Sequence, residues 1–256
     1  MSRVAVFNQK GGVGKTTTAL NLSAALHRKK AKNLIIDMDP QAHLSEIHQK
    51  EKVDSTKSLF DFYQNNTQLS RLITEWEALG DMIPAHSELI KVDSVFGKGP
   101  AILNKLKQGL NTLEEGNKYD NIIMDCCPYL GVLSLNAVFA ADLMIIPMAS
   151  DFLSLKSAQK IEKTLLALER VLKKRVDRRY VLTMFDKRRR MPFEVMEQAT
   201  SFFGDELCKT VINANVTLAE SPYHQQDIFS YQANSKGAED YNLLTEELLN
   251  QSLIHR

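Results

Sequence analysis

An apolar run, Val4-Ala5-Val6-Phe7, leads through Asn8 into Gln9-Lys10-Gly11-Gly12-Val13-Gly14-Lys15-Thr16-Thr17 and then into a segment with helical spacing. No other stretch restricts the fold as much. A glycine-rich turn between a strand and a helix N-terminus presents successive backbone N–H groups to one point, which suits a polyphosphate. Gly11, Gly12 and Gly14 let the chain take positive φ and let phosphate oxygens approach the backbone. Lys15 is placed for the β and γ phosphates, and the Thr16 hydroxyl for a magnesium ion. The residues expected to contact nucleotide within one chain are therefore Gly11, Gly12, Val13, Gly14, Lys15, Thr16 and Thr17. The ordinary phosphate-loop pattern wants glycine where this chain has Gln9, and a second lysine, Lys10, follows it. That lysine sits on the entry side of the loop, with little access to the oxygens Lys15 serves. A dinucleotide fingerprint fits poorly, because Thr17 stands where its last glycine belongs.

A second apolar run, Asn33 to Asp39, ends in carboxylates and is stopped by Pro40. Strand, loop, helix (Thr16 to Lys30) and strand within forty residues predict a parallel crossover, which places Asp37 and Asp39 near the loop. Between residues 41 and 116 the pattern weakens. Ser58–Tyr63 and Ala101–Leu106 read as helical and Met82-Ile83-Pro84 as a strand end, with no linker to mark a boundary. Tyr119–Asp125 is another buried strand ending in an acid. In phosphate-loop proteins such an acid supports the magnesium ion, and the turn after it, here Cys126 to Gly131, can sense the γ-phosphate. Ala141–Pro147 and Arg179–Phe185 are further strands, Lys209–Ile212 a short one, and Met196–Phe203 and Gly237–Leu253 helices. Together these predict an α/β phosphate-loop fold, a mostly parallel central sheet with helices on both faces, in a single domain over residues 1–256.

Between the strands at 147 and 179 lies a helix with Ala158, Ile161, Leu165, Leu168 and Leu172 on one stripe and Lys156, Lys160, Lys163, Arg170 and Lys174 on the other. Residues 156–190 carry 13 Lys/Arg against 4 Asp/Glu, a net of +9, although the whole chain carries only +1. The ridge, continued by Lys187, Arg188, Arg189 and Arg190, reads either as a solvated helix face or as a footprint for phosphate backbone. Three cysteines, Cys126, Cys127 and Cys208, form no C-x-x-C pair, so no disulfide framework, zinc site or cluster is indicated. A reducing cytoplasm suits them. No apolar run is long enough to span a bilayer, and Glu239, Asp240, Glu246 and Glu247 make the last helix too acidic for membrane docking.

The chain closely resembles the ParA/Soj family of partition ATPases, within the MinD/ParA class that carries a deviant Walker A loop. The resemblance rests on Lys10-Gly11-Gly12-Val13-Gly14-Lys15-Thr16-Thr17-Thr18, Asp37-Met38-Asp39-Pro40-Gln41, Ile123-Met124-Asp125, Leu182 to Arg188, and Leu218-Ala219-Glu220-Ser221-Pro222. It implies ATP and magnesium as ligands, with two ATP molecules sandwiched in a homodimer. Lys10 would cross to the phosphates held by the other subunit, and Lys15 would serve its own. Asp39 would position the attacking water, Thr16 would hold magnesium and Asp125 would support it. It further implies non-specific double-stranded DNA and a ParB-like activating protein as partners, no membrane, and a cytoplasmic, nucleoid-associated protein. The chain departs from the family at Cys127-Pro128, where Pro-Pro is frequent, and at Asn213-Ala214-Asn215-Val216, near the expected base-binding wall. A helix-turn-helix domain before the loop is not expected. The alternative role is a ParA-like positioner of a protein cargo or a MinD-like division-site regulator, and an iron–sulfur reductase ATPase lacks the cysteines it needs.

Overall fold

A computed structural model describes residues 1–48, 53–95, 99–116 and 118–256, and within them every side chain except those of residues 171 and 172. The first half runs β1 (Ser2–Val6), α1 (Lys15–Arg28), β2 (Asn33–Asp37), α2 (His43–His48), α3 (Leu59–Asn65), β3 (Thr74–Trp76), β4 (Gly80–Ile83), α4 (Ile90–Val95), α5 (Pro100–Leu103) and α6 (Lys105–Glu114). The second half runs β5 (Asn121–Asp125), α7 (Val132–Ala140), β6 (Leu143–Ala149), α8 (Phe152–Leu172), β7 (Asp177–Thr183), α9 (Met191–Phe203), α10 (Val216–Glu220), α11 (Ile228–Gln232) and α12 (Lys236–Asn250). The strands form one sheet in the order β3-β4-β2-β5-β1-β6-β7, parallel throughout except that β3 pairs antiparallel with β4.

Strand alternation divides the core between the two faces of the sheet. Ala5, Leu34, Ile36, Ile122, Met124, Met144 and Ile146 point to the side covered by α3, α6, α7 and α8. Val4, Val6, Ile35, Ile123, Leu143 and Ile145 point to the side covered by α1 and α12. Both faces are covered, so the central strands read as near-continuous apolar runs. The stripe of α8 enters this core as the spacing predicts: Ala158, Ile161 and Leu165 are buried and Leu168 is half-buried, while the Leu172 side chain lies outside the described residues. Each buried Ile or Leu contributes about 1.5–3 kcal/mol.

Several sequence expectations shift. The predicted helix over Ala101–Leu106 is broken at Asn104 into α5 and α6, and Met196–Phe203 is the second half of a helix that starts at Met191, with Pro192 in its first turn. The predicted strand at Lys209–Ile212 is not one. Isolated bridges flank that segment, Tyr180 with Leu207 before it and Phe185 with Asn213 after it; within it Ile212 N donates to Leu182 O of β7 at 2.8 Å, while Lys209 N and Thr210 N donate to Glu247 instead of to the sheet. The hairpin β3–β4 and the helices α2, α4, α7, α10 and α11 join the elements read from sequence.

The basic segment also divides. Arg178 is 1 % exposed and points into the protein, with Glu162 at 3.1 Å, Glu169 at 3.0 Å and Glu206 at 3.5 Å. Tyr180 Oη donates to the same Glu162 at 2.5 Å. This guanidinium therefore ties α8 to β7 and adds nothing to the surface charge. Breaking a buried charge cluster from one side leaves the remaining ions unpaired, so Arg178→Ala should lower the unfolding free energy by about 3–5 kcal/mol. Urea titration checks this, and a loss below about 1 kcal/mol would show that the three glutamates do not depend on it.

Candidate nucleotide site

The parallel register fixes the site before any side chain is considered. Val6 pairs with Asp125, and Asp125 pairs with Asp37, so the ends of β1, β5 and β2 lie level at the C-terminal edge of the sheet. The loop leaving β1 must then pass over two carboxylates. Its base is held by Asn8, which is fully buried: Asn8 Nδ2 donates to Pro147 O at 2.7 Å and Asn8 Oδ1 accepts from Lys10 N at 2.9 Å. From the other side Thr183 Oγ1 donates to Val13 O at 2.9 Å. Gly12 and Gly14 take φ of 71° and 88°, whereas Gly11 does not need positive φ. A Cβ on Gly11 or Gly12 would meet no protein atom within 4 Å, so nothing within the chain packs against either glycine. Gly14 also begins α1 with no side-chain cap, which leaves the first-turn N–H groups facing that space.

Within the loop, Val13 is buried, Thr16 and Thr17 are half-buried, and Lys15 is buried with Nζ donating to Lys10 O at 3.1 Å. Burial lowers the Lys15 pKa, opposed by the charges of Asp125 and Asp39. Asp125 is 1 % exposed, and neither of its carboxylate oxygens has a hydrogen-bond partner among the described residues. Burial and then the charge of Asp37 push its carboxyl well above the usual range, while the Thr16 hydroxyl and the Lys15 ammonium act in the opposite direction. Asp37, level with it, is instead fully satisfied: it accepts from Asp39 N at 3.0 Å, Ser45 N at 2.9 Å and Ser45 Oγ at 2.7 Å. Burial still raises it to about 6. A buried, orphaned carboxylate beside a threonine hydroxyl and an open phosphate cradle has the donor chemistry that magnesium selects, hard oxygens with room for water and phosphate. Asp39 is half-buried at the rim, with Oδ1 accepting from Gln41 N at 2.9 Å.

Lys10 takes a different course from Lys15. Its ammonium leaves the cradle for the N-terminus of α8, meeting Asp151 Oδ1 at 2.9 Å, Asp151 Oδ2 at 3.1 Å and Ser154 Oγ at 2.7 Å. Asp151 is also the N-cap of that helix, accepting from Ser154 N at 2.9 Å. Burial alone would raise the Asp151 carboxyl, but hydrogen bonds from Ser154 and Lys10 outweigh it and hold it below the ordinary value. Asp151 and Ser154 were not among the sequence candidates. An aspartate just before a helical stripe signals a cap, and its place after a strand signals the C-terminal edge of the sheet, so the two signals together could have found them. Asn8 and Thr183 offer no such signal.

The turn from Cys126 to Gly131 adjoins Asp125. Both thiols are buried and raised by burial, and Cys127 Sγ lies 3.3 Å from Ser134 Oγ, so they pack the turn as neutral groups. Tyr129 is exposed at its tip.

The basic residues form two groups. Lys156, Lys160, Lys163 and Arg170 are exposed along α8, and none has an ion-pair partner among the described residues; Lys156 lies over the Phe152 ring at 5.3 Å. Lys174, beyond the helix, pairs with Asp142 at 3.3 Å. Because α8 runs against the strands, Lys174 lies at the edge of the sheet away from the nucleotide site, whereas Lys187 and Arg188 to Arg190 follow β7 at the near edge. Lys187 is exposed, but Arg188 and Arg189 pair with Asp186 at 2.9 and 3.3 Å, and Arg190 with Glu194 at 2.8 Å.

Comparison with known proteins fits this arrangement. A family described as an AAA domain matches residues 1–178. The sporulation initiation inhibitor protein Soj of Bacillus subtilis is 34% identical over 96% of this chain and 97% of its own length. The chromosome partitioning protein ParA of Caulobacter vibrioides is 30% identical over 97% of this chain and 94% of its own. Among solved structures, a cobyrinic acid a,c-diamide synthase from Mycobacterium smegmatis with bound ATP analog and magnesium superposes with a TM-score of 0.84 at 23% identity, over 98% of this chain and 96% of that one. At that identity the likeness concerns the fold, which hosts more than one chemistry. The near-full-length relatives carry more weight, and by them the chain belongs to the Soj/ParA family of chromosome-partitioning proteins, whose members are phosphate-loop ATPases.

Proposed function

We propose that this chain is an ATP-dependent DNA partition ATPase that acts as a dimer, two copies enclosing two ATP molecules. The observation that carries this reading is the separation of the two loop lysines. Lys15 lies inside the cradle, whereas Lys10 leaves it and is held at the N-terminus of α8. A cation on the rim, detained by a half-exposed carboxylate, is available to a phosphate presented by a second copy.

In this reading the loop N–H groups from Gly11 to Thr17 and the Lys15 ammonium bind the β and γ phosphates. Thr16 and Asp125 hold magnesium, whose charge neutralises phosphate oxygens when bound. Asp39 orients a water for attack at the γ-phosphorus; the bond to the β–γ bridging oxygen breaks, leaving ADP and inorganic phosphate. Lys10 of the second copy meets the charge that develops on the leaving group, a trans cation of the arginine-finger kind. The turn from Cys126 to Gly131 reports the γ-phosphate. Dimerisation doubles the basic α8 surface, so ATP binding strengthens a non-specific hold on double-stranded DNA through counterion release. A ParB-like partner stimulates hydrolysis and releases the protein. The setting is the cytoplasm, on the nucleoid; no described helix is long and apolar enough to cross a membrane.

Lys10→Ala should bind ATP as the wild type does but fail to dimerise with it, and partner-stimulated turnover should fall by at least about 10²-fold. Light scattering with ATP and without it reads the dimer, and a dimer of undiminished strength in this variant would remove Lys10 from the trans role. Asp39→Ala should trap the ATP dimer on DNA with turnover reduced about 10²-fold or more; wild-type phosphate release would refute its placement of the water. On the DNA side, reversing Lys156, Lys160, Lys163 and Arg170 to Glu should weaken retention more than reversing Arg188, Arg189 and Arg190, which already carry local carboxylates. Anisotropy across a salt series reads this as a slope reduced by about 0.9 for each DNA phosphate that is no longer neutralised. Equal retention by the α8 variant and the wild type would reject the ridge.

A further inference from the structure

Helix α7 begins without a cap of its own. Gly131, its N-cap residue, is extended at φ −116° and ψ −165°, and no neighbouring side chain accepts from the first turn. The first N–H of the helix is taken instead by a carboxylate from elsewhere in the chain: Val132 N donates to Asp93 Oδ1, a residue of α4. Asp93 also defines what residue 131 can be. An ideal Cβ on Gly131 would fall on the Asp93 carboxylate, touching Oδ1, Oδ2 and Cγ, so a side chain at 131 would have to displace that carboxylate. The helix in turn holds the preceding turn. Ser134 Oγ, in the first helical turn, donates to Tyr129 O and lies 3.3 Å from Cys127 Sγ. A chain of contacts therefore runs from Asp93 through Val132 and Ser134 into Cys126–Gly131, whose other end is fixed by Cys126 N donating to Val6 O at 3.2 Å. On the far side α4 is anchored by Val92, and the turn before it by Leu89, both fully buried, while Ile90 and Val95 are exposed.

We propose that Asp93 is a positioning residue for ATP recognition: by capping α7 across the fold it holds the Cys126–Gly131 turn in the arrangement that meets a γ-phosphate. This rests on the reading of that turn as γ-phosphate-sensitive. A carboxylate at a helix N-terminus is favourable both as a hydrogen-bond acceptor and against the helix dipole. Without it the turn and the first helical turn sample other arrangements, and apparent affinity falls by the fraction that remains competent. ADP, which lacks the γ-phosphate, uses the loop alone and should not register the change.

The test measures dissociation constants for ADP and a non-hydrolysable ATP analogue, with hydrogen exchange over residues 126–134 under each ligand. In the wild type the analogue should protect this stretch more than ADP does. Equal protection would refute the turn as a γ-phosphate sensor, and with it this proposal, before any variant is made. With that difference present, Asp93→Ala should raise the analogue's dissociation constant about tenfold, as expected if one molecule in ten keeps the competent turn, with ADP within about twofold. Asp93→Asn, which keeps an acceptor oxygen, should retain the wild-type ratio. Gly131→Ala, whose new Cβ displaces the carboxylate, should reproduce the loss, and combining it with Asp93→Ala should cost little more than either alone. Parallel weakening of both nucleotides, no change in either, or fully additive losses would overturn the assignment.

Discussion

The site depends on an unequal pair of carboxylates. The register of β1, β5 and β2 brings Asp125 and Asp37 level, both out of solvent, at the edge where the glycine-rich loop crosses. An isolated buried ion costs several kcal/mol, so such a pair persists only with compensation. Asp37 receives its compensation internally, from Ser45 and two backbone N–H groups, and in doing so fixes the loop that presents Asp39. Asp125 has no hydrogen-bond partner among the described residues, and only the nearby Thr16 hydroxyl and Lys15 ammonium ease its charge. Of two acids at one level, one is spent on structure and the other is left in want of a cation. The loop, the buried Lys15 and the Thr16 hydroxyl all converge on that unmet demand.

Much of this was legible in the sequence because it is local. Glycines at 12 and 14, followed by Lys15 and Thr16, specify a turn, a helix start and a ligand class within five residues. Strands β2 and β5 announce themselves as apolar runs ending in acids, and α8 is long enough, from Phe152 to Leu172, for its buried stripe to show. The elements that were missed lack such repetition. Strand β3 is three residues at an antiparallel edge, too short for alternation to register. Helix α7 is buried on most sides, so its sequence carries no polar face and its period vanishes. Lys209–Ile212 has strand-like composition, yet Lys209 N and Thr210 N go to Glu247 on α12 and only Ile212 N reaches β7, at Leu182 O, a choice made by tertiary contacts.

Long-range contacts were illegible for the same reason. Lys10 and Asp151 are 141 residues apart, and Asp93 and Val132 are 39 apart, with nothing in either neighbourhood to announce the other. Net charge misled in a related way. The +9 between 156 and 190 counts Arg178, which is interior, and Arg188 to Arg190, which are answered by Asp186 and Glu194. Surface potential belongs to the fold and not to the segment; among its described residues, Lys156, Lys160, Lys163 and Arg170 on the outer face of α8 and Lys187 after β7 are exposed cations without an ion-pair partner.

Helix α8 thereby acquires two duties in the proposed cycle. Its N-terminus detains Lys10 through Asp151 and Ser154, and its flank carries Lys156, Lys160, Lys163 and Arg170. If Lys10 leaves for the phosphates of a second copy, Asp151 keeps its capping bond to Ser154 N but loses the ammonium that shares its charge. The helix N-terminus then presents a less neutralised carboxylate at the dimer edge, close to Phe152 and Leu153, which are exposed in this single chain. In that cycle nucleotide state and DNA surface would be joined by one element of about 30 Å: the helix that would release the trans lysine is the helix that carries the charge.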